Sequence, residues 1–231
     1  LKHLPIKIAL IEAVAMPIRY QAHFDARTLA LSKSSQQILQ SLAIWQRVKQ
    51  HSVAIKHIHV SQRGAFGATR LNAAAYQTPA FGYVIDLQRL LIELFQTLKK
   101  NADIDYYCPA TLSAMQYHSS EYRYQLNLNT HEQLFCDLLI GADGTQSSVR
   151  QFANIDCDTR EYGHHALVAN IALARSHQHC AYERFTENGP LALLPMHENR
   201  AALIWAQKAK QAHDLVHANE NTFLQQLQYQ F

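Results

Sequence analysis

The run Leu138-Leu139-Ile140-Gly141-Ala142-Asp143-Gly144-Thr145-Gln146-Ser147-Ser148-Val149-Arg150 joins an apolar strand, two glycines and a serine pair able to cap a helix. A strand that feeds a glycine turn and then a helix start leaves backbone N–H groups facing outward, which suits a phosphate. The same residues also describe a plain strand-turn-helix corner in which Gly141 and Gly144 only permit positive φ. The residues alone leave these two readings even. A second candidate is Glu12, which closes the apolar run Ile6-Lys7-Ile8-Ala9-Leu10-Ile11. In a dinucleotide-binding unit an acid at the end of the second strand binds a ribose, about 20 residues after a glycine fingerprint. Eleven residues precede Glu12 and none is glycine, so Glu12 is either an ordinary strand-end acid or the chain begins after its fingerprint. Arg27, taken by itself, reads as a solvated cation flanking a helix.

Histidine is abundant, at 14 residues, and three groupings imitate metal sites: His164-His165, His177-x-His179-Cys180 and His213-Asp214-x-x-His217. Two imidazoles four apart on a helix supply two ligands, whereas zinc needs three or four and supporting hydrogen bonds around them. Exposed polar histidines, and no metal, are the expectation. No Ser-His-Asp order or carboxylate pair stands out, so hydrolase chemistry is not indicated. Nothing identifies a catalytic acid or base.

These residues need elements to hold them. Ile6 to Glu12 has the pattern of a buried strand in an α/β sheet. Helical spacing predicts helices over 34–50 (Ile38, Leu39, Leu42, Trp45), 86–100 (Leu87, Leu90, Leu91, Leu94, Leu98) and 219–231 (Phe223, Leu224, Leu227, Phe231). Strands are expected at 53–61, 65–71, 104–108, 111–118, 121–129, 134–140, 165–173, 180–186, 190–195 and 200–206. Strands outnumber helices after residue 100, so a pure doubly wound sheet is not expected and a second sheet should interrupt the nucleotide-binding layers.

Composition bounds the rest. The 231 residues are 48% hydrophobic and 17% charged, enough apolar material for a folded core, and the formal net charge of +3 is scattered. No basic face for nucleic acid results. No run reaches the roughly 18 apolar residues of a membrane span, and Leu1 to Pro5 do not make a signal peptide. The four cysteines, Cys108, Cys136, Cys157 and Cys180, form no C-x-x-C pair, which points to a reducing, cytoplasmic setting.

The G-A-D-G-x-x-S-x-V-R sequence resembles the second fingerprint of the aromatic-ring flavoprotein hydroxylases. Phe24-Asp25-Ala26-Arg27 resembles their D-x-R segment, and acid, arginine and G-A-D-G stand in the family order. The stretches His59-Val60-Ser61-Gln62-Arg63-Gly64-Ala65-Phe66-Gly67-Ala68-Thr69-Arg70 and Glu183-Arg184-Phe185-Thr186-Glu187-Asn188-Gly189-Pro190-Leu191-Ala192-Leu193-Leu194-Pro195-Met196 are similar to the ubiquinone-pathway branch that hydroxylates polyprenyl-methoxyphenols. The resemblance runs along nearly the whole chain. Two family segments, the initial G-x-G-x-x-G and a later G-D-A-x-H, are absent, which marks the chain as an internal piece that by itself would hold FAD weakly and be inactive. Leu87 stands where many relatives carry a polar flavin contact, so that role is not carried over.

The resemblance implies an α/β (α+β) fold like that of p-hydroxybenzoate hydroxylase: a partial FAD-binding Rossmann-like domain interrupted by a β-sheet substrate domain. FAD-binding parts would be 1–55 and 85–160, with substrate-domain strands at 56–84 and a substrate sheet at 161–231. It implies an FAD-dependent monooxygenase in which NAD(P)H reduces the flavin and dioxygen supplies the hydroxyl oxygen. Glu12 would bind the adenosine ribose, Arg27 and Asp143 would brace the pyrophosphate side with Gly144 in the turn, and Arg150 would fix that turn. Arg184, Phe185, Leu191, Leu193 and Pro195 would line the substrate cavity, with Leu191, Leu193 and Pro195 on its inner face. Implied partners are the prenylated phenol and other ubiquinone-biosynthesis proteins, with at most peripheral membrane contact. The competing expectation is a non-catalytic prenyl-phenol holder or assembly module that has lost the flavin site.

Overall fold

Alternating apolar residues become strands at most of the places where the sequence predicts them. The computed structural model describes residues 6–16, 19–21, 23–24 and 27–231. In chain order its strands are β1 (Ile8–Ile11), β2 (Thr28–Ser32), β3 (Ser52–Ile55), β4 (His57–Gln62), β5 (Ala68–Asn72), β6 (Gly82–Asp86) and β7 (Ile104–Tyr107). They continue as β8 (Leu112–His118), β9 (Arg123–Leu128), β10 (Gln133–Cys136), β11 (His164–Ala172), β12 (Cys180–Thr186), β13 (Gly189–Met196) and β14 (Arg200–Lys208). The α-helices are α1 (Lys33–Ser41), α2 (Trp45–Val48), α3 (Leu87–Lys99), α4 (Ser148–Phe152), α5 (Ala209–Val216) and α6 (Glu220–Gln230). Two compact units divide the chain, Leu1–Pro17 with Phe95–Arg160 and Ile18–Leu94 with Glu161–Phe231. By compactness, the segment up to residue 55 that follows Pro17 therefore groups with the later strands.

In the first unit β1 and β7 run parallel, with Ile8 opposite Ile104 and Ile11 opposite Tyr107. A separate antiparallel sheet has the order β10-β9-β8. The strand expected at 134–140 ends at Cys136, opposite Tyr124, because its partner β9 begins at Arg123. Arg123 Nε and Asp137 Oδ1, 3.0 Å apart, close that end. Leu138 and Ile140 consequently belong to no ladder and are 74% and 69% exposed.

The second unit is layered. A six-stranded sheet of order β11-β14-β13-β12-β4-β5 faces a three-stranded sheet of order β2-β6-β3. Side chains alternate across β6: Ile85 packs with Leu31, Leu39, Trp45, Val48 and Leu90 under α1, α2 and α3, while Val84 packs with Ala181, Met196 and Ala202 of the large sheet. The opposite face of the large sheet carries Leu167, Leu191, Leu203 and Trp205, covered by Ala212 of α5 and Leu227 of α6.

Two predicted elements are split, each for a local reason. The strand expected at 53–61 divides at Lys56, where the chain leaves the small sheet for the large one. The backbone N–H groups of Lys56 and His57 both donate to the His179 carbonyl, at 2.9 and 3.2 Å. The helix expected at 34–50 breaks at Ala43, whose φ is 58°. Ile44 N–H donates to Leu39 O at 2.9 Å and Ala43 N–H to Gln40 O at 3.0 Å, the bond pair of a Schellman ending. Asn219 caps α6 by accepting from Thr222 N–H at 2.9 Å.

Candidate functional site

The glycine turn is organised around one carboxylate. Asp143 Oδ1 accepts from Ser147 Oγ, and Oδ2 accepts from Ser148 Oγ at 3.0 Å and Val149 N–H at 3.1 Å. The Ser147 hydroxyl, first, and the backbone donors hold the Asp143 carboxyl well below the usual carboxylate range. Ser147 is also the N-cap of α4, its Oγ accepting from Arg150 N–H at 3.0 Å. Arg150 Nη2 donates back to the Thr145 carbonyl at 2.7 Å.

The two glycines serve different ends. A Cβ on Gly141 would stand 3.1 Å from Val149, so this position sets how closely the segment before the turn approaches α4. Gly144 has φ +83° and nothing within 4 Å of a would-be Cβ, which leaves open space over the turn. The structure thus brings Asp143, Gly144 and Arg150 together. Both oxygens of Asp143 are engaged by its own chain, so it shapes the turn from within.

Glu12 follows β1 and is fixed by its backbone, its N–H donating to Tyr107 O and its carbonyl accepting from Ala110 N–H, both at 2.9 Å. Its Oε1 accepts from Val14 N–H at 2.8 Å. Arg27 belongs to the other compact unit and is exposed. Its carbonyl accepts from Leu87 N–H at 2.9 Å, which places it beside the start of α3. Asp25 and Ala26 of the D-x-R segment lie outside the described residues.

The expected substrate-side residues fall on both faces of the large sheet. Leu191 is 0% exposed and Leu193 packs against the same cluster beneath α5 and α6. Pro195, two further along the strand, is fully buried. Along the inner face expected, Leu191 and Leu193 thus pack into the cluster covered by the two C-terminal helices, and Pro195 is buried. Arg184 lies on that side of β12, whereas Phe185 points to the other and is 49% exposed.

That other side carries a residue the sequence reading missed. Register places Glu183 level with Val60 of β4, Ala192 of β13, Ile204 of β14 and Val168 of β11. Burial among these apolar neighbours raises the Glu183 carboxyl above its ordinary value. Alternation counted outward from Phe185 would have flagged it; the face it occupies could not be read from sequence.

A second arrangement carried no sequence signal. A cavity of about 310 Å³ is lined by Tyr20, His51, Asp86, Arg89, His197 and Arg200 among others. Tyr20 Oη donates to Asp86 Oδ2 at 3.1 Å, the Arg89 guanidinium sits 3.5 Å from the Tyr20 ring centroid, and Asp86 Oδ1 accepts from Gln88 N–H at 2.8 Å. Burial, then the Arg89 and His197 charges, lowers the His51 imidazole.

The histidine groupings are partnered by backbone. His177 Nε2 meets the Met196 carbonyl at 2.9 Å, His179 Nδ1 that of Ala54 at 3.1 Å, and His217 Nδ1 that of His213 at 2.8 Å. His177 and His179 are half-buried, contrary to the exposed positions expected, because their loop packs back on β3 and β13. Among the described residues no group of three or more His, Cys, Asp or Glu could hold a metal ion.

With the turn, the strand-end acid and the sheets in place, the family model of the FAD binding domain matches residues 2–230. The chain belongs to that family. It is 29% identical to a ubiquinone hydroxylase, UbiL, of Rhodospirillum rubrum over 81% of this chain and 43% of the relative. It is 27% identical to the ubiquinone biosynthesis monooxygenase COQ6 of Caenorhabditis elegans over 89% of this chain and 46% of that protein. The chain thus spans about half the length of these relatives. Among solved structures, PqsL of Pseudomonas aeruginosa, a probable FAD-dependent monooxygenase, superposes with a TM-score of 0.72 at 20% identity over 90% of this chain and 56% of that one. That likeness establishes the fold: mixed α/β with several sheets, as the resemblance implied.

Proposed function

We propose that the chain is the flavin-binding and substrate-sheet portion of an FAD-dependent monooxygenase that hydroxylates a polyprenylated methoxyphenol in ubiquinone biosynthesis, with NAD(P)H as electron donor. The FAD-family match over residues 2–230 carries the reading. The residues present in the first unit fit FAD, with open space over Gly144 and a strand-end carboxylate at Glu12; the part given to Arg27 rests on the resemblance. Bound FAD supplies electron transfer from NAD(P)H and activation of dioxygen.

The chain's own residues would do the rest. Glu12 accepts hydrogen bonds from the adenosine ribose hydroxyls, Gly144 admits the close approach of backbone to the pyrophosphate, and Arg27 offers it charge. Asp143 and Arg150 keep the turn in shape through their bonds to Ser147, Ser148, Val149 and Thr145. On the sheet, the face of Glu183, Phe185 and Ala192 receives the phenol. Glu183 accepts its hydroxyl proton in a hydrogen bond, and the surrounding apolar side chains exclude water. In this division 1–55 and 85–160 supply FAD-binding parts, and 56–84 with 161–231 supply the sheet.

No helix among the described residues is long and apolar enough to cross a membrane. A cytoplasmic setting, peripheral membrane contact and assembly with other ubiquinone-biosynthesis proteins belong to the proposal. The non-catalytic alternative is not favoured, since the FAD-family match spans residues 2–230 and the relatives it resembles are hydroxylases.

Flavin titration of the protein, followed by NADH or NADPH oxidation with and without a prenylated phenol and mass spectrometry of the product, tests the reading. In a longer protein that contains the chain, flavin-dependent gain of one oxygen by the phenol is the expected result. Absence of flavin binding by the chain and by any longer protein containing it would sink the proposal.

A further inference from the structure

The hairpin of β4 and β5 carries a charged hollow that the proposed function does not use, although the resemblance places one of its residues, Arg184, in the substrate cavity. Its volume is about 450 Å³, and His59, Ser61, Phe66, Arg70 and Arg184 are among its lining residues. No aspartate or glutamate lines it. Arg184 Nη1 donates to Ser61 Oγ at 3.1 Å, and Arg70 Nε donates to His59 Nδ1 at 3.4 Å. Arg184 Nε is buried without a hydrogen-bond partner. Arg63 adds a third positive charge in the adjoining turn, its guanidinium 4.1 Å from the Tyr229 ring centroid and bonded to Gln230 Oε1 at 3.2 Å. None of the three arginines takes part in an ion pair among the described residues.

An arginine that serves only to hold a fold is ordinarily matched by a carboxylate, because a partly buried cation without a counter-charge is unfavourable. Here the half-buried Arg184 and the exposed Arg70 line one hollow, oriented by Ser61 and His59, with no carboxylate among the lining residues. The planar guanidinium fork suits tetrahedral oxyanions, which it binds with paired charge-assisted hydrogen bonds. Gly64 and Gly67, at φ +76° and +96°, form the turn over the hollow, and nothing lies within 4 Å of either would-be Cβ.

We propose that this hollow is a binding site for a phosphate-type oxyanion, held by Arg70 and Arg184 with Ser61 positioning the latter. The anion is either a free phosphate compound or the headgroup of an anionic lipid. Phe66, fully exposed at the hairpin tip beside the cations, gives the lipid source an apolar anchor.

The test has two arms on the 231-residue chain. Calorimetric titration with inorganic phosphate and pyrophosphate reads the soluble arm, and co-sedimentation with phosphatidylcholine vesicles, with or without phosphatidylglycerol, reads the lipid arm. Binding is expected in at least one arm, and Arg70→Gln, at an exposed position, should weaken it about tenfold, as loss of a charge-assisted hydrogen bond does. Arg184→Gln, checked by thermal melting for a retained fold, should repeat that loss. Phosphate binding without vesicle binding identifies a soluble ligand. Vesicle binding that requires phosphatidylglycerol and drops in Phe66→Ser identifies the headgroup. Failure to bind either phosphate or anionic vesicles, or binding that Arg70→Gln leaves unchanged, overturns the proposal.

Discussion

Arg150 Nη2 donates to the carbonyl oxygen of Thr145 at 2.7 Å, so a side chain on the first turn of α4 ties down the loop that leads into it. The same residue's N–H is capped by Ser147, whose hydroxyl is bonded to Asp143. Three side chains thereby fix one short turn, and Gly144 stays open to a ligand above it.

In a full-length protein, Arg150→Ala should therefore lower FAD affinity without contact between the guanidinium and flavin being required. The expected loss is about 1.5 to 3 kcal/mol, the range for a charge-assisted hydrogen bond. Flavin fluorescence titration measures it, and thermal melting monitors the fold. Unchanged affinity together with an unchanged melt would show that the Arg150 side chain does not hold the turn.

Leu193 and Ala192 should respond in opposite ways to added bulk. Leu193→Trp forces an indole into the core beneath α5 and α6 and should destabilise the chain by roughly 1 to 3 kcal/mol. Ala192→Phe projects from the Glu183 side, so it should leave the melting temperature nearly unchanged while blocking binding of a prenylated phenol. Equal destabilisation by both would mean that the Glu183 face is closed as well.

Ala43 adopts a left-handed conformation at the end of α1. A Cβ there is unfavourable by about 1 kcal/mol, and glycine is the usual residue at this position of a Schellman ending. Ala43→Gly should raise stability by about that amount in urea unfolding, against the usual destabilising direction of Ala→Gly inside helices. A loss of stability would show that the helix does not end at this residue.

Glu183 gives a pH signature of known sign. Its folded-state value lies above the ordinary 4.5 because burial disfavours the charged form. Its contribution to stability is complete below 4.5 and is lost as pH rises through the raised value. Glu183→Gln should accordingly match the wild type at low pH and melt above it at neutral pH. Parallel pH–stability curves for the two proteins would remove the burial argument.

Local periodicity was enough to define β12, β13, β14, α3 and α6 almost to the residue, since each carries its pattern within its own length. The glycine turn was equally visible, because Gly141, Asp143, Gly144, Ser147 and Arg150 act on neighbours at most eight positions away. The change of sheet at Lys56 left only a faint trace: buried residues fall on odd numbers at Val53 and Ile55, and apolar ones on even numbers at Ile58 and Val60. Coverage was beyond reach of the sequence. Alternation states that Leu191 and Leu193 share a face, yet whether that face meets ligand or core depends on Ala212, Leu227 and Phe223, brought over it by helices that begin after β14. The sequence by itself thus determined the elements and the turn chemistry, which rest on short-range bonds. Only the tertiary structure decided which sheet face is closed, because burial is a property of what distant segments pack above it.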